Sequence, residues 1–590
     1  MKTMKKYILF ILSGFLTTSC IDTVVLPDDI TIGEDMWKSR DDVSAMVNSA
    51  YKAMCSEGVI ERCIVWGSFR SDELNPIVQT FNNGKETALR DIKAGNMTHN
   101  NLYADWASFY NVINKCNLVL ERAPGVVNID PSYTVNTLNT DRSQMLALRS
   151  LCYFYLVRAF RDVPVTPGAY FVSSQNFEIP QQAPITVLNK CIADLEEAIK
   201  TPLSPLGYTD WRRVGYLNRE GIAALLADVY LWRGSMTHDA GDYQKCVEYC
   251  DVVLNSKKQS TSDDFMLQDR KWPNLIYNGS EVYRNVFIQG NSRESIFELQ
   301  MDGRNDDNFG LRNSYWNYDD RARSNGLMRA SLNFNEVGDD YIYIKDKDYR
   351  WYESCYNVKS SDQTELDVFK MVSTQTTGND ETTQKPVTSR VARPYADVGQ
   401  NWIVYRLSDV MLMKAEALVQ LAPEAEVAQD DSESEVEEAD VLRTAFTLVN
   451  EVNKRSLALT TLGDADTLKF STYNTKAAME ELVLAERLRE LCFEGKRYFD
   501  LMRFNYRHVE GIQADKILAN ISSDAKAMVK NYGPMMDLMT RGMSEGNAAA
   551  TFKMPTEPFL YFPVLNSEIK VNSLLKQNPA YKENDAYVKN

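Results

Sequence analysis

The sequence predicts a mostly α protein in which helix pairs form a scaffold and an irregular, loop-rich region packs against it. Two observations predict this. Apolar residues recur three and four apart over long parts of 34–255 and again over 401–590, the spacing that gives a helix one apolar face. Between those parts, over 256–400, the period fails, and Asn, Asp, Gly, Ser and aromatic residues dominate. A long irregular stretch inside a compact protein is usually functional. The three parts are expected to form a single compact body, preceded by an export signal (1–19) and a short polar tether (20–33).

The N-terminus justifies the signal. Lys2, Lys5 and Lys6 precede an apolar run at 7–16. That run is too short for a permanent span, which needs about 20 residues, so it reads as a secretory signal peptide. Thr17, Thr18 and Ser19 then lead to Cys20. This ending resembles a bacterial lipobox, although Leu16 lies four residues before the cysteine where the pattern favours three. Cys20 is therefore expected to carry acyl chains such as palmitate, so that the membrane is reached through a lipid anchor only. The alternative is a plain secretory signal with an incidental cysteine.

Composition narrows the function. The net charge of -16 argues against a nucleic-acid partner or a general anionic-membrane binder. Of the 10 Cys, those other than Cys20 form no zinc-type CxxC pair. Cys246 and Cys250 read as small core residues. The three His, at 99, 238 and 508, stand in unrelated contexts, against a histidine-based hydrolase or metal centre. No metal and no cofactor is expected.

Taken in order, helices are expected at 41–54, 101–121 (ended by Pro124-Gly125), 144–160 and 185–200. The stretch 66–81 reads as loop. The helix at 219–233 carries Ala223, Ala224 and Ala227, which let a neighbour approach closely. A second helix opens at Gly241-Asp242-Tyr243 and runs to 254. This pair resembles a tetratricopeptide unit, which cannot bury its own face alone and so implies stacked neighbours. Short strand-like pieces stand at 295–300 and 341–344. Helix returns at 404–421 and 442–455. The acidic stretch 423–440 reads as a solvated loop, with a calcium site as its alternative. A charged helix at 480–494 is ended by Gly495.

Four stretches line up with one family: 405–417 (YRLSDVMLMKAEA), 445–455 (AFTLVNEVNKR), 486–504 (ERLRELCFEGKRYFDLMRF) and 561–581 with its QNPAY ending. In this order they resemble the SusD/RagB family of outer-membrane nutrient-binding lipoproteins of the Bacteroidetes. In the N-terminal half, 147–164 (ALRSLCYFYLVRAFRDVP) and 192–199 (IADLEEAI) agree. The resemblance implies a SusD-like fold, in which tetratricopeptide-like helix pairs carry an irregular ligand-binding region. It also implies a lipid anchor at the outer membrane, with the body exposed at the cell surface. Its implied role is to bind oligosaccharides, or in some members peptides or glycoprotein fragments, for a SusC-like TonB-dependent transporter, without chemistry of its own.

The residues themselves are read as follows. In 486–503, Arg487, Arg489, Glu490, Glu494, Arg497, Asp500 and Arg503 predict an ion-pair network that locks helices together. A secreted glycosidase would need two acids converging in a pocket, and no recognisable motif presents them. A purely structural adaptor is the other alternative. Trp402 and Tyr405 are expected in the same structural role. Sugars offer C–H faces to aromatic rings and hydroxyls to polar side chains. Stretches that mix both put Trp316 first as a stacking residue, then Tyr315, Tyr318 and Trp272, with Trp66 a further candidate. The polar candidates are Asn313, Asp319, Arg312 and Asp72. Residues 302–310 (DGRNDDNFG) hint at a calcium loop but lack the closing Glu of an EF-hand, position 313 being Asn.

Overall fold

The structure, a computed structural model, describes residues 36–77, 84–171, 175–207, 209–260, 275, 279–303, 307–316, 326–335, 342–344, 346–356, 366–373, 377–379, 382–383, 386–388, 399–423, 433–457, 467–508 and 557–581. The chain is mostly helical, as its periodicity requires. Its longer helices are α1 (Arg40–Met54), α2 (Glu57–Ile64), α3 (Gly84–Lys93), α4 (Ala107–Val126), α5 (Val135–Phe160), α6 (Pro184–Ala198), α7 (Arg219–Thr237) and α8 (Ala240–Ser260). After the irregular region come α9 (Leu407–Leu421), α10 (Glu433–Ser456), α11 (Lys476–Leu491) and α12 (Arg497–His508).

These helices pack in series. α1 lies on α4, α4 on α5, α5 on α6, α6 on α7, α7 on α8, α8 on α9, and α9 on both α10 and α11. Ala223, Ala224 and Ala227 of α7 are fully buried, as their small size in the sequence predicts. α7 ends where His238 adopts a left-handed backbone (φ 60°), and its Nε2 lies 3.0 Å from the Tyr506 carbonyl.

Several boundaries differ from the sequence reading. α5 begins at Val135, where the Thr134 hydroxyl accepts from the Thr137 amide; its first turns are polar, so apolar spacing does not reveal them. Trp106 stands before α4 as its N-cap, after a short 3₁₀ turn at Leu102–Ala104. Pro124 and Gly125 lie inside the last turn of α4 instead of ending it. The acidic stretch is corrected in its second half, because α10 already starts at Glu433. The expected loop at 66–81 is also corrected, since Val65–Phe69 extends α2 as a π-turn and β1 (Leu74–Pro76) follows. Of the strand-like pieces, the first forms; of the second, residue 341 lies outside the described residues and 342–344 belong to no strand.

Two strand pairs tie the irregular region to the helices. β2 (Ser295–Leu299) runs antiparallel to β4 (Trp402–Arg406), with Trp402 opposite Leu299 and every residue of both strands buried. β1 pairs antiparallel with β3 (Met328–Ala330). Trp402 is fully buried, and the Tyr405 hydroxyl donates to Asp228 at 2.9 Å. Both keep the structural role read from the sequence.

The 486–503 motif forms the expected ion-pair network, and the irregular region supplies many of its partners. Glu490 receives Arg406 and Arg455 at 2.6 Å each and Arg350 at 3.1 Å. Glu494 receives both Arg406 and Lys370 at 2.7 Å. Arg455 also grips both oxygens of Glu294, at 2.8 and 2.7 Å. Burial opposes ionisation of Glu490, but Arg455, Arg406 and Arg350 outweigh it and hold the carboxyl well below its ordinary range. The network thereby joins α10 and α11 to the start of α9 and to residues 294, 350 and 370.

Candidate ligand-binding face

A cavity beside this network is lined by Tyr283, Phe287, Tyr349, Arg350, Lys370 and Glu490 among others, and measures ≈ 20 Å³. That is room for a water molecule, not for a sugar ring, which needs the hundreds of cubic ångströms of an ordinary ligand site. A ligand of that size is better served by an open face.

The sequence-derived residues separate into three groups. The first belongs to the core. Trp66 is fully buried, stacks on Phe109 (5.0 Å, 23°), and donates from Nε1 to the Tyr103 carbonyl at 2.8 Å. Tyr315 is fully buried, and its hydroxyl donates to the Phe493 carbonyl at 3.1 Å. Trp316, ranked first, is 3% exposed. These three placements correct the sequence reading, because no ring face of theirs is open to a ligand. Alternation of aromatic and polar residues does not tell which way a ring turns. Asp72 also serves the fold: its two carboxylate oxygens each accept from Arg497 at 2.9 Å.

The second group lies outside the described residues: Cys20, Trp272, Tyr318 and Asp319. Residues 304–306 of the calcium-like stretch lie there too. Asn308 of that stretch is a helix cap, accepting from the Leu311 amide at 2.9 Å and donating to the Gln400 carbonyl at 2.7 Å. Among the described residues, no group of three or more His, Cys, Asp or Glu side chains could hold a metal ion.

The third group is brought together on one short helix, Phe309–Tyr315. Gly310 seats it on α2, where a Cβ would fall 2.9 Å from Ile60 Cβ and 3.0 Å from the Glu57 carbonyl oxygen. Leu311, Ser314 and Tyr315 are buried beneath. Phe309 is 36% exposed, and the Arg312 guanidinium lies 4.5 Å from its ring centroid. Asn313 Nδ2 donates to Glu57 Oε1 at 2.9 Å. Lys85 of α3 completes the rim, 3.0 Å from Glu57 and 2.7 Å from Glu61. Burial works against the Glu57 charge, but the hydrogen bond and charge of Lys85 prevail and lower its pKa. The result is a partly exposed ring with the Arg312 guanidinium over one of its faces and the Asn313 amide on the same short helix, on a rigid base.

A model of the SusD family matches residues 258–581, more than half of the chain. The chain belongs to the SusD family. Members of this SusD-like family are substrate-binding proteins associated with the outer membrane, and the family binds glycans for transport. SusD-like protein P38 of Formosa agariphila is 23% identical over 533 residues, covering 86% of this chain and 94% of that protein. A SusD superfamily protein from Bacteroides vulgatus superposes with a TM-score of 0.63 at 15% identity, covering 92% of this chain and 100% of the other. One from Bacteroides thetaiotaomicron gives 0.59 at 19% identity, covering 92% and 99%. The shared SusD fold agrees with the helical scaffold expected from the sequence. Among the described residues, no helix is long and apolar enough to cross a membrane.

Two aromatic residues on the surface went unread in the sequence. Phe309 stands in the calcium-like stretch, where its acidic neighbours drew the reading. Trp211, 48% exposed, stands in the connection between α6 and α7, where Pro202, Pro205 and Gly207 signal a turn and nothing more.

Proposed function

We propose that this SusD-like protein is a lipid-anchored, surface-exposed receptor that captures oligosaccharides and delivers them to a SusC-like TonB-dependent transporter. The observation that carries the ligand class is the Phe309 face. An aromatic ring offers a stacking surface for the C–H face of a sugar. Arg312 and Asn313 stand beside it as hydrogen-bond donors for hydroxyls. The short helix is fixed on α2, so little side-chain freedom remains to be lost on binding. Tyr318, Asp319 and Trp272 extend the proposed contact set, and Cys20 is its proposed anchor. Binding and handover need no bond to be broken, so no catalytic residue is assigned.

The test is affinity electrophoresis of the full chain in detergent through gels containing amylopectin, xyloglucan, galactomannan, arabinoxylan, pectin or alginate. Retardation by at least one polysaccharide, without release of products, is the expected result. Free migration through all six gels contradicts the carbohydrate reading. For the anchor, Cys20→Ser is expected to abolish labelling by a palmitate analogue and to free the protein from the membrane fraction. Unchanged labelling contradicts the assignment of Cys20.

A further inference from the structure

Trp211 is exposed, yet it is firmly held. Its ring stands edge-on to Tyr216 (5.5 Å, 81°), and Tyr216 stacks on Tyr51 of α1 (4.5 Å, 16°). Gly215 passes under the indole: a Cβ there would fall 2.8 Å from Trp211 Cε3 and 2.7 Å from Gln300 Cγ. The short turn after Trp211 is pinned, because Arg213 Nη2 donates to the carbonyls of Asn291 and Ser292, both at 2.9 Å. Asn218 holds the same turn from the other side, donating to the Arg213 carbonyl at 2.8 Å. Next to the ring, Arg212 and Asp210 pair through three hydrogen bonds at 2.9, 3.1 and 2.6 Å, so this side of the rim is polar and its two charges are paired.

Trp211 and the Phe309 face stand on neighbouring supports. The Trp211 side rests through Tyr216 on Tyr51, in the last turn of α1. The Phe309 helix rests through Gly310 on Glu57, the first residue of α2. Only Cys55 and Ser56 separate these two helices. Gln300, which touches the Trp211 turn, also leads from β2 into the segment that carries Phe309.

We propose that Trp211 is a second stacking platform for the same oligosaccharide, so that the protein selects chains of several sugar rings over short sugars. A rigid, half-open indole with neutralised polar flanks suits the C–H face of an uncharged pyranose, and its fixed position removes the entropic cost of ordering it. This proposal rests on the carbohydrate reading above.

The test uses the full chain in detergent and whichever of the six polysaccharides retards it, hydrolysed to a ladder from disaccharide to octasaccharide. Calorimetric affinities are compared for wild type, Trp211→Ala and Trp211→Phe, with thermal unfolding as the folding control. For Trp211→Ala, the expected result is unchanged affinity for the shortest fragments and about tenfold weaker affinity for the longest, a difference of about 1.4 kcal/mol. Trp211→Phe is expected to recover most of it. Equal affinities of wild type and Trp211→Ala at every length overturn the proposal, and so does an equal loss at every length. If Trp211→Ala binds the whole ladder normally but no longer copurifies with a transporter, the residue is a protein contact and the proposal fails. Free migration of the wild type through all six gels removes the carbohydrate reading itself, and that result needs no variant.

Discussion

The charge network around Glu490 and the face around Phe309 use similar residues to opposite ends. Around Glu490, Arg406 and Arg455 are 1% exposed and grip carboxylates in two directions each. Buried and paired in this way, such groups are closed to a ligand. Around Phe309, the Asn313–Glu57–Lys85 contacts lie at the solvent edge, where a pair is worth about 0–1 kcal/mol. A sugar hydroxyl can replace them at little cost. Charge density in a sequence therefore marks the lock of this fold, whereas the proposed face carries its few charged pairs at the solvent edge and is easily overlooked.

The largest expected effect lies in the lock. Glu490→Gln keeps the shape but leaves Arg406 and Arg455 without their shared carboxylate, and is expected to cost about 3–5 kcal/mol in urea unfolding. A loss below about 1 kcal/mol would mean that the network is redundant.

A second effect sharpens the comparison within buried carboxyls. Glu73 is fully buried, and its Oε2 has no hydrogen-bond partner. Burial outweighs the Ser68 hydrogen bond and pushes its pKa up from 4.5 to about 8, opposite to Glu490. The folded state then holds a proton that the unfolded state has released, so this contribution to stability is intact below pH 4.5 and falls as pH rises toward 8. Unfolding midpoints of Glu73→Gln against wild type should show a relative gain of the variant across that window, on the order of 5 kcal/mol at its upper end. A constant difference across the window would count against the buried, protonated carboxyl.

The smallest expected effect on stability is at the face. Phe309→Ala should change unfolding by less than about 1 kcal/mol, as surface substitutions do, while weakening oligosaccharide binding.

Much of the lock was legible in the sequence. The 486–503 motif announces paired charges, and the alanines of α7 announce close packing. Its outside partners were not legible, because Glu294, Arg350 and Lys370 reach the motif only through tertiary folding. The face was less legible still. Trp66, Tyr315 and Trp316 looked like platforms because polar residues share their stretches, yet Asn308 caps a helix, Asp72 pairs with Arg497, and the three rings turn inward. Phe309 and Trp211 lack a periodic pattern, and only their exposure in the fold reveals them.

The most direct test of this division is the retardation of Phe309→Ala in the polysaccharide gel that retards wild type, with its unfolding midpoint measured alongside. Separate lock and face predict lost retardation at an unchanged midpoint. Full retardation of the variant would contradict the account and move the ligand away from this helix.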